Sequence, residues 1–383
     1  MTTAPPCAAL CAPPSLQTLA DRCVQCGLCL PVCPTYALDP IEAESPRGRI
    51  ALIKAWESGL LAPSKSGDSR LDHCLGCRRC EAVCPAGVQY DVLLSGARDR
   101  QRERRPVSAR QRALEWLTAR PQALTAMMAA YRIVFPLLPR RLRPLPRPVR
   151  RNLPAINSGA TAAKPFALFL GCVARSYESP LHTALFRLAK ASGLEIVVPA
   201  KQTCCGSLHA HAGASDTADA LAATNRAAFA QAGTVLSTAS GCHDAIADSL
   251  RGITDVKDAI VAIAKRADSL RFAPRAERVA LHLPCTQRSG IRSEEGLRAL
   301  LARVPELEVV IIDAGLGCCG AAGTQMLTDP GRAARFRQPL LDQIAASGAS
   351  RLLSANIGCR LHLGNGTSLL VQHPLEFLSE CLA

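Results

Sequence analysis

Eight cysteines near the start of the chain fall into two copies of one pattern: Cys23, Cys26, Cys29 and Cys33 precede Pro34, and Cys74, Cys77, Cys80 and Cys84 precede Pro85. Both runs read C-x2-C-x2-C-x3-C-P. Thiolates at this spacing wrap an iron-sulfur cubane: one short loop presents three sulfurs, and the fourth cysteine reaches across to the other cluster. One [4Fe-4S] site is therefore expected on Cys23, Cys26, Cys29 and Cys84, and a second on Cys74, Cys77, Cys80 and Cys33. A zinc module or a disulfide framework is the competing reading. Structural zinc usually takes paired C-x2-C hooks, not two runs of four ending in Cys-Pro.

Eight more cysteines form two equivalent sets, Cys172, Cys204, Cys205 and Cys242, then Cys285, Cys318, Cys319 and Cys359. From the first cysteine to the adjacent pair is 32 and 33 residues, and from the pair to the last is 37 and 40. The flanking strings also repeat, TCCG against GCCG and LSTASGC against LLSANIGC. Four thiols at one place make a metal or cluster site; buried structural cysteines are the alternative. The occupant stays open.

The elements that must position these groups are legible. Each later cysteine follows a strand-like run (FALFLG, LEIVV, TVLSTAS; VALHL, LEVVII, RLLSANIG), which puts it at the carboxyl edge of an open α/β sheet, where loops converge into a crevice. Two homologous α/β units of about a hundred residues each follow from that repeat. Between the cluster loops, SPRGRIALIKAWESGLL (45–61) reads as a helix with a basic first turn, packed beside the clusters. The expected fold is thus α/β with an α-rich N-terminal module. A tail spans 1–20, a two-cluster ferredoxin-like domain 21–97, an Arg/Pro-rich helical linker 98–163, and the two cysteine-rich repeats 164–255 and 278–383.

The chain of 383 residues has a net charge of +14, which raises the question of nucleic acid. Location argues against it: fifteen arginines and only three acids lie between Arg98 and Arg151. That concentration suits an electrostatic docking surface, and aromatics at 4% leave few stacking platforms for bases. The apolar part of this segment is broken by Arg120, Pro121, Arg132 and Pro136, so a spanning helix is not expected. An amphipathic helix with basic flanks, lying on an anionic membrane face or on a partner protein, is one reading, and a solvated connector the other. Nineteen cysteines in metal-type spacings suit a reducing compartment. With no export signal legible in MTTAPPCAALCAPPSLQ, cytoplasmic residence is expected, with Cys7 and Cys11 in a tail.

The strings SPRGRIALIK, CLGCRRCEAVCPAGVQY, STASGC, HLPCTQ, CCGAAGT and SANIGCRLHL resemble the iron-sulfur subunit of glycolate oxidase. More broadly, they resemble a subunit of anaerobic glycerol-3-phosphate dehydrogenase and heterodisulfide reductase relatives. The resemblance implies two repeated CCG domains and a subunit that accepts electrons from FAD-containing partners oxidising glycolate to glyoxylate. Passage to a quinone or another acceptor is expected, and through the basic linker peripheral attachment to the inner face of the membrane is one placement. Substrate oxidation then belongs to the flavoprotein, and no catalytic residue is expected in this chain. Oxidation of lactate or glycerol 3-phosphate by the partner is an alternative.

In heterodisulfide reductase relatives each CCG domain can end in C-x2-C and hold an unusual cluster. Here Ala245 and His362 stand three residues beyond Cys242 and Cys359, which counts against a disulfide-reducing centre. His362 is either a nitrogen ligand or a hydrogen-bond donor. GLGCCG, with Gly315, Gly317 and Gly320, matches a dinucleotide fingerprint, but cysteines inside it and KQTCCG in the first copy, which keeps only Gly206, favour tight turns.

Overall fold

The computed structural model describes residues 14–149, 165–291, 293–313 and 318–383. Cys7, Cys11, Gly315, Gly317 and the stretch 150–164 lie outside them.

Parallel strands buried on both faces read as continuous apolar runs, and the second half of the chain forms two such sheets. In the first, β1 (Phe166–Phe169), β2 (Ile196–Val197), β3 (Thr234–Ser237) and β4 (Asp255–Asp258) lie in the order β2-β1-β3-β4, all parallel. The second repeats it with β5 (Glu277–His282), β6 (Leu307–Ile312), β7 (Arg351–Ser354) and β8 (Leu370–Gln372), in the order β6-β5-β7-β8. The first sheet runs on past residue 255, because β4 pairs with β3 through Asp258.

The two repeats share one core. Helix Ser179–Ala191 of the first packs on helix Pro374–Glu380 of the second, and Ala259–Ala264 of the first packs on Glu294–Leu301 of the second. Leu181, Leu185, Ile263, Leu297, Leu300, Leu375 and Phe377 meet there without solvent exposure. A buried ion pair between Arg360 and Glu178 also crosses this interface.

Before the sheets the described residues hold helices and no strand. Ser45 caps helix Pro46–Glu57 by accepting from the Gly48 amide at 2.9 Å, and Pro46 at the first position needs no amide partner. Its Ile50 and Ile53 pack with Leu19, Leu71, Leu93 and Tyr90 around the cysteine loops. Helix Tyr90–Arg104 runs unbroken across residue 97, so the expected boundary there falls within one element. Helices Ala109–Thr118 and Pro121–Val134 follow. Leu124 and Met128 are buried against Cys172, Cys204 and Cys205, so this stretch is packed onto the first repeat and is not a solvated connector.

Candidate functional site

Cys23, Cys26, Cys29 and Cys84, together with Cys80 of the second run, line one small space closed by Pro46, Ile50, Val88 and Tyr90. Cys26 is exposed, and Val24 and Leu28 beside it stand 68% and 56% exposed. The Arg47 amide donates to the Cys29 sulfur, while burial pushes that thiol up. The other set is deeper. Burial, then the thiols of Cys74, Cys77 and Cys33 among their neighbours, push Cys77 and Cys80 well above the ordinary range. The Tyr90 hydroxyl donates to Cys74 Sγ at 3.7 Å, and the Thr35 hydroxyl lies 3.2 Å from Cys33 Sγ. Cys84 faces the first loop, and Cys33 lies near Cys77 and Cys80 of the second run as well as Cys29 of its own.

The repeats bring their thiols together as well. Cys172 and Cys204 sulfurs are 3.5 Å apart and Cys319 and Cys359 sulfurs 3.2 Å. Cys205 contacts Cys242, and Cys285 contacts Cys318. Bonding to Cys204 and burial raise the Cys172 thiol, and bonding to Cys318 and burial raise Cys285. Gly206 and Gly320 make the tight turns after each pair at φ of +85° and +81°, and their amides reach the Cys204 and Cys318 sulfurs at 3.5 Å. A Cβ on Gly320 would meet the Ala333 carbonyl at 2.6 Å. Both thiol sets line a single, mostly apolar cavity of about 340 Å³, whose wall also includes Leu117, Leu124, Met127 and Met128.

Sequence spacing does not show how these parts connect. Leu75, between Cys74 and Cys77, packs directly on Cys318, Cys285 and Phe336. Cys77 is close enough to Cys285 and Cys318 for thiolate charge to be felt between them. Asn356 spans the repeats: its amide nitrogen donates to Cys359 Sγ at 3.4 Å and its oxygen accepts from the Gly241 amide at 3.2 Å. His362 does not turn to the thiols in this arrangement; its Nε2 bonds the Ala333 carbonyl at 3.2 Å, and burial lowers the imidazole to about 4. No signal in the sequence marks Asn356. Arg49 was legible in part, since it sits four residues before Ile53 on the buried stripe of its helix.

The donor sets fit iron-sulfur clusters. All donors are sulfur, the linings are apolar, and backbone amides point at the thiols. Among the described residues no three His, Cys, Asp or Glu side chains converge tightly enough for a single ion. The thiols of the first loop stand around one space and those of the repeats around another, as a multi-iron group requires.

Comparison with known proteins agrees. A family model described as a 4Fe-4S dicluster domain matches residues 19–88, and one described as a cysteine-rich domain matches 166–247 and 279–364. The glycolate oxidase iron-sulfur subunit of Escherichia coli (strain K12) is 30% identical over 395 residues, covering 96% of this chain and 95% of that one. The chain belongs to the glycolate oxidase iron-sulfur subunit family. Within this family the probable glycolate oxidase iron-sulfur subunit of Bacillus subtilis (strain 168) is 28% identical, covering 90% of this chain and 88% of its own. A subunit of the anaerobic glycerol-3-phosphate dehydrogenase of Escherichia coli (strain K12) is 26% identical over 96% of this chain and all of its own. Like its relatives in the glycolate oxidase family, the chain is an iron-sulfur subunit.

Proposed function

We propose that this chain carries electrons out of a multisubunit glycolate dehydrogenase, from FAD-containing partner subunits that oxidise glycolate to glyoxylate. Cys23, Cys26, Cys29 and Cys84 would hold one [4Fe-4S] cluster, and Cys74, Cys77, Cys80 and Cys33 a second. Cys172, Cys204, Cys205, Cys242, Cys285, Cys318, Cys319 and Cys359 would hold further metal or cluster. When bound, such clusters exchange single electrons, which complements a flavin that takes two at once. This chain's own residues hold the thiols in place, exclude water with Ile50, Leu71 and Val88, and donate hydrogen bonds to sulfur from Tyr90 and backbone amides.

One observation carries this reading: each thiol set adjoins the next. Cys26 is exposed at one end, Cys77 adjoins Cys285 and Cys318 in the middle, and both repeat sets share the cavity at the other end. The cavity's apolar wall suits a quinone as acceptor. Following it in the chain, Ile133, Leu137 and Leu142 stand 73%, 86% and 55% exposed among Arg132, Arg141, Arg143 and Arg147, a surface suited to an anionic membrane. No helix among the described residues is long and apolar enough to cross one.

The test is glycolate-dependent dye reduction by the native complex purified without oxygen, with lactate and glycerol 3-phosphate alongside. Glycolate activity that travels with a flavin and requires this chain supports the proposal; preference for another donor reassigns the substrate. The shared cavity favours one second reading, catalysis of disulfide or quinone reduction at the repeat thiols. A thiol-reactive paramagnetic centre lost in Cys205→Ser would support it.

A further inference from the structure

Helix Pro46–Glu57 sends two arginines toward different thiol sets. Arg47 is partly exposed, pairs with Glu42 at 2.7 Å and donates to the Gln25 carbonyl at 3.3 Å, beside Cys26 and Cys29. Arg49 has no solvent exposure. Its Nε donates to the Arg70 carbonyl at 2.6 Å, Nη1 to Thr35 Oγ1 at 3.0 Å and the Glu44 carbonyl at 2.5 Å, and Nη2 to Glu44 Oε2 at 2.7 Å. Thr35 Oγ1 in turn lies 3.2 Å from Cys33 Sγ. That oxygen accepts from Arg49 while its single proton goes to the Glu44 carbonyl at 2.7 Å, which also accepts from Arg49, so Thr35 and Glu44 together hold the guanidinium beside Cys33.

Charge around Arg49 is unbalanced. Glu44, itself unexposed, meets Arg49, Arg70, Arg332 and the imidazole of His73, while Asp39 meets Arg332 and Arg335. Four guanidinium groups therefore share two carboxylates, and Arg49 among them lies next to Cys33 and Cys74. The guanidinium of an arginine stays charged, and away from water its field on neighbouring groups is stronger than at a surface.

We propose that Arg49 is a positioning residue that sets reduction potential. By its buried charge, held beside Cys33 by Thr35 and Glu44, it raises the centre on Cys33, Cys74, Cys77 and Cys80 above the centre on Cys23, Cys26, Cys29 and Cys84. An electron added to a thiolate-ligated cluster adds negative charge, so a neighbouring cation and hydrogen bonds to sulfur stabilise the reduced form. Arg47, with its head nearer water, acts less on its own set. The difference gives transfer a direction, from the exposed loop toward Cys285 and Cys318. This inference rests on the ligand division proposed above.

The experiment is a mediator-based redox titration of the full chain without oxygen, followed by electron paramagnetic resonance, with iron content measured on every variant. Cys77→Ser marks which signal belongs to the inner set. Arg49→Gln is expected to shift that signal to lower potential and move the other less, Arg49→Lys to retain most of the wild-type value, and Thr35→Val to give a smaller downward shift. Unchanged potentials in an iron-replete Arg49→Gln protein, or equal shifts of both signals, would overturn the proposal. Should Arg49→Gln lose iron, Thr35→Val decides by the same criterion. Loss of the other signal, or of none, in Cys77→Ser overturns the ligand division and the proposal with it, in a protein where Arg49 is intact.

Discussion

Cys77 lies between the two halves of the site, near enough to Cys285 and Cys318 to feel their charge, and Cys205 belongs to one half only. Cys77→Ser is expected to remove or convert one cluster and stop electron flow to the acceptor, because a hydroxyl replaces thiolate poorly on iron. Cys205→Ser is expected to leave the clusters of the N-terminal module intact, read by iron content and paramagnetic resonance. Loss of one of those signals in Cys205→Ser would defeat the division. The thiols themselves were legible because cluster chemistry imposes local spacing. Leu75, Thr35 and Asn356 were not, because their roles depend on which distant loop arrives beside them, and Leu75 meeting Cys318 bridges more than two hundred residues of chain.

At the scale of elements, the repeat was readable from strand-like runs ending at a matching offset before the first and the last cysteine of each set. Cys172 and Cys285 each come three residues after β1 and β5, and Cys242 and Cys359 five after β3 and β7. The short β4 and β8 were missed, since DVKD and LVQ carry too little apolar pattern to separate from loop. β4 ends in Asp258, whose carboxylate caps helix Ala259–Ala264 by accepting from the Ile260 amide at 2.8 Å. Burial pushes this carboxyl up to about 7 against an ordinary 3.8. Between those values the folded chain holds a proton that the unfolded chain has released, so stability is expected to fall as pH rises through the window and to level off above it. Asp258→Asn keeps the cap and removes the titration. Its melting temperature should exceed the wild-type value by a few degrees at pH 8 and differ little at pH 4, as measured by thermal unfolding at the two pH values.

Across the whole molecule, Arg332 of helix Pro330–Ala346 fastens the second repeat to the N-terminal module through Asp39 at 2.7 Å and Glu44 at 3.3 Å. Arg332→Ala is expected to cost about 1.5–3 kcal/mol, the scale of a lost charged hydrogen bond, with Glu44 still held by Arg49 and Arg70. Reduction of the N-terminal clusters by dithionite should survive in this variant, while their reoxidation by acceptor slows. On the basic stretch, Ile133→Asp with Leu137→Asp should abolish sedimentation with anionic-lipid vesicles at low salt; unchanged sedimentation would remove the membrane from the reading of that surface. Composition located this stretch but not its inner face, because Leu124 and Met128 look like the exposed apolar residues around them until the first repeat is in place.

The interlocked core has a consequence for how the protein is made. Helix Ser179–Ala191 presents Leu181 and Leu185 to Leu375, Phe377 and Leu378, so a ribosome must complete the second repeat before the first can close. At ordinary elongation rates that delay is roughly 10–40 s, during which an apolar helix face of the nascent chain stays open to chaperones. The cysteine loops at 23–33 and 74–84 have emerged by then, ahead of the arginine that will clamp them. The early cysteine loops and the repeat thiol sets are therefore completed at different moments of biogenesis.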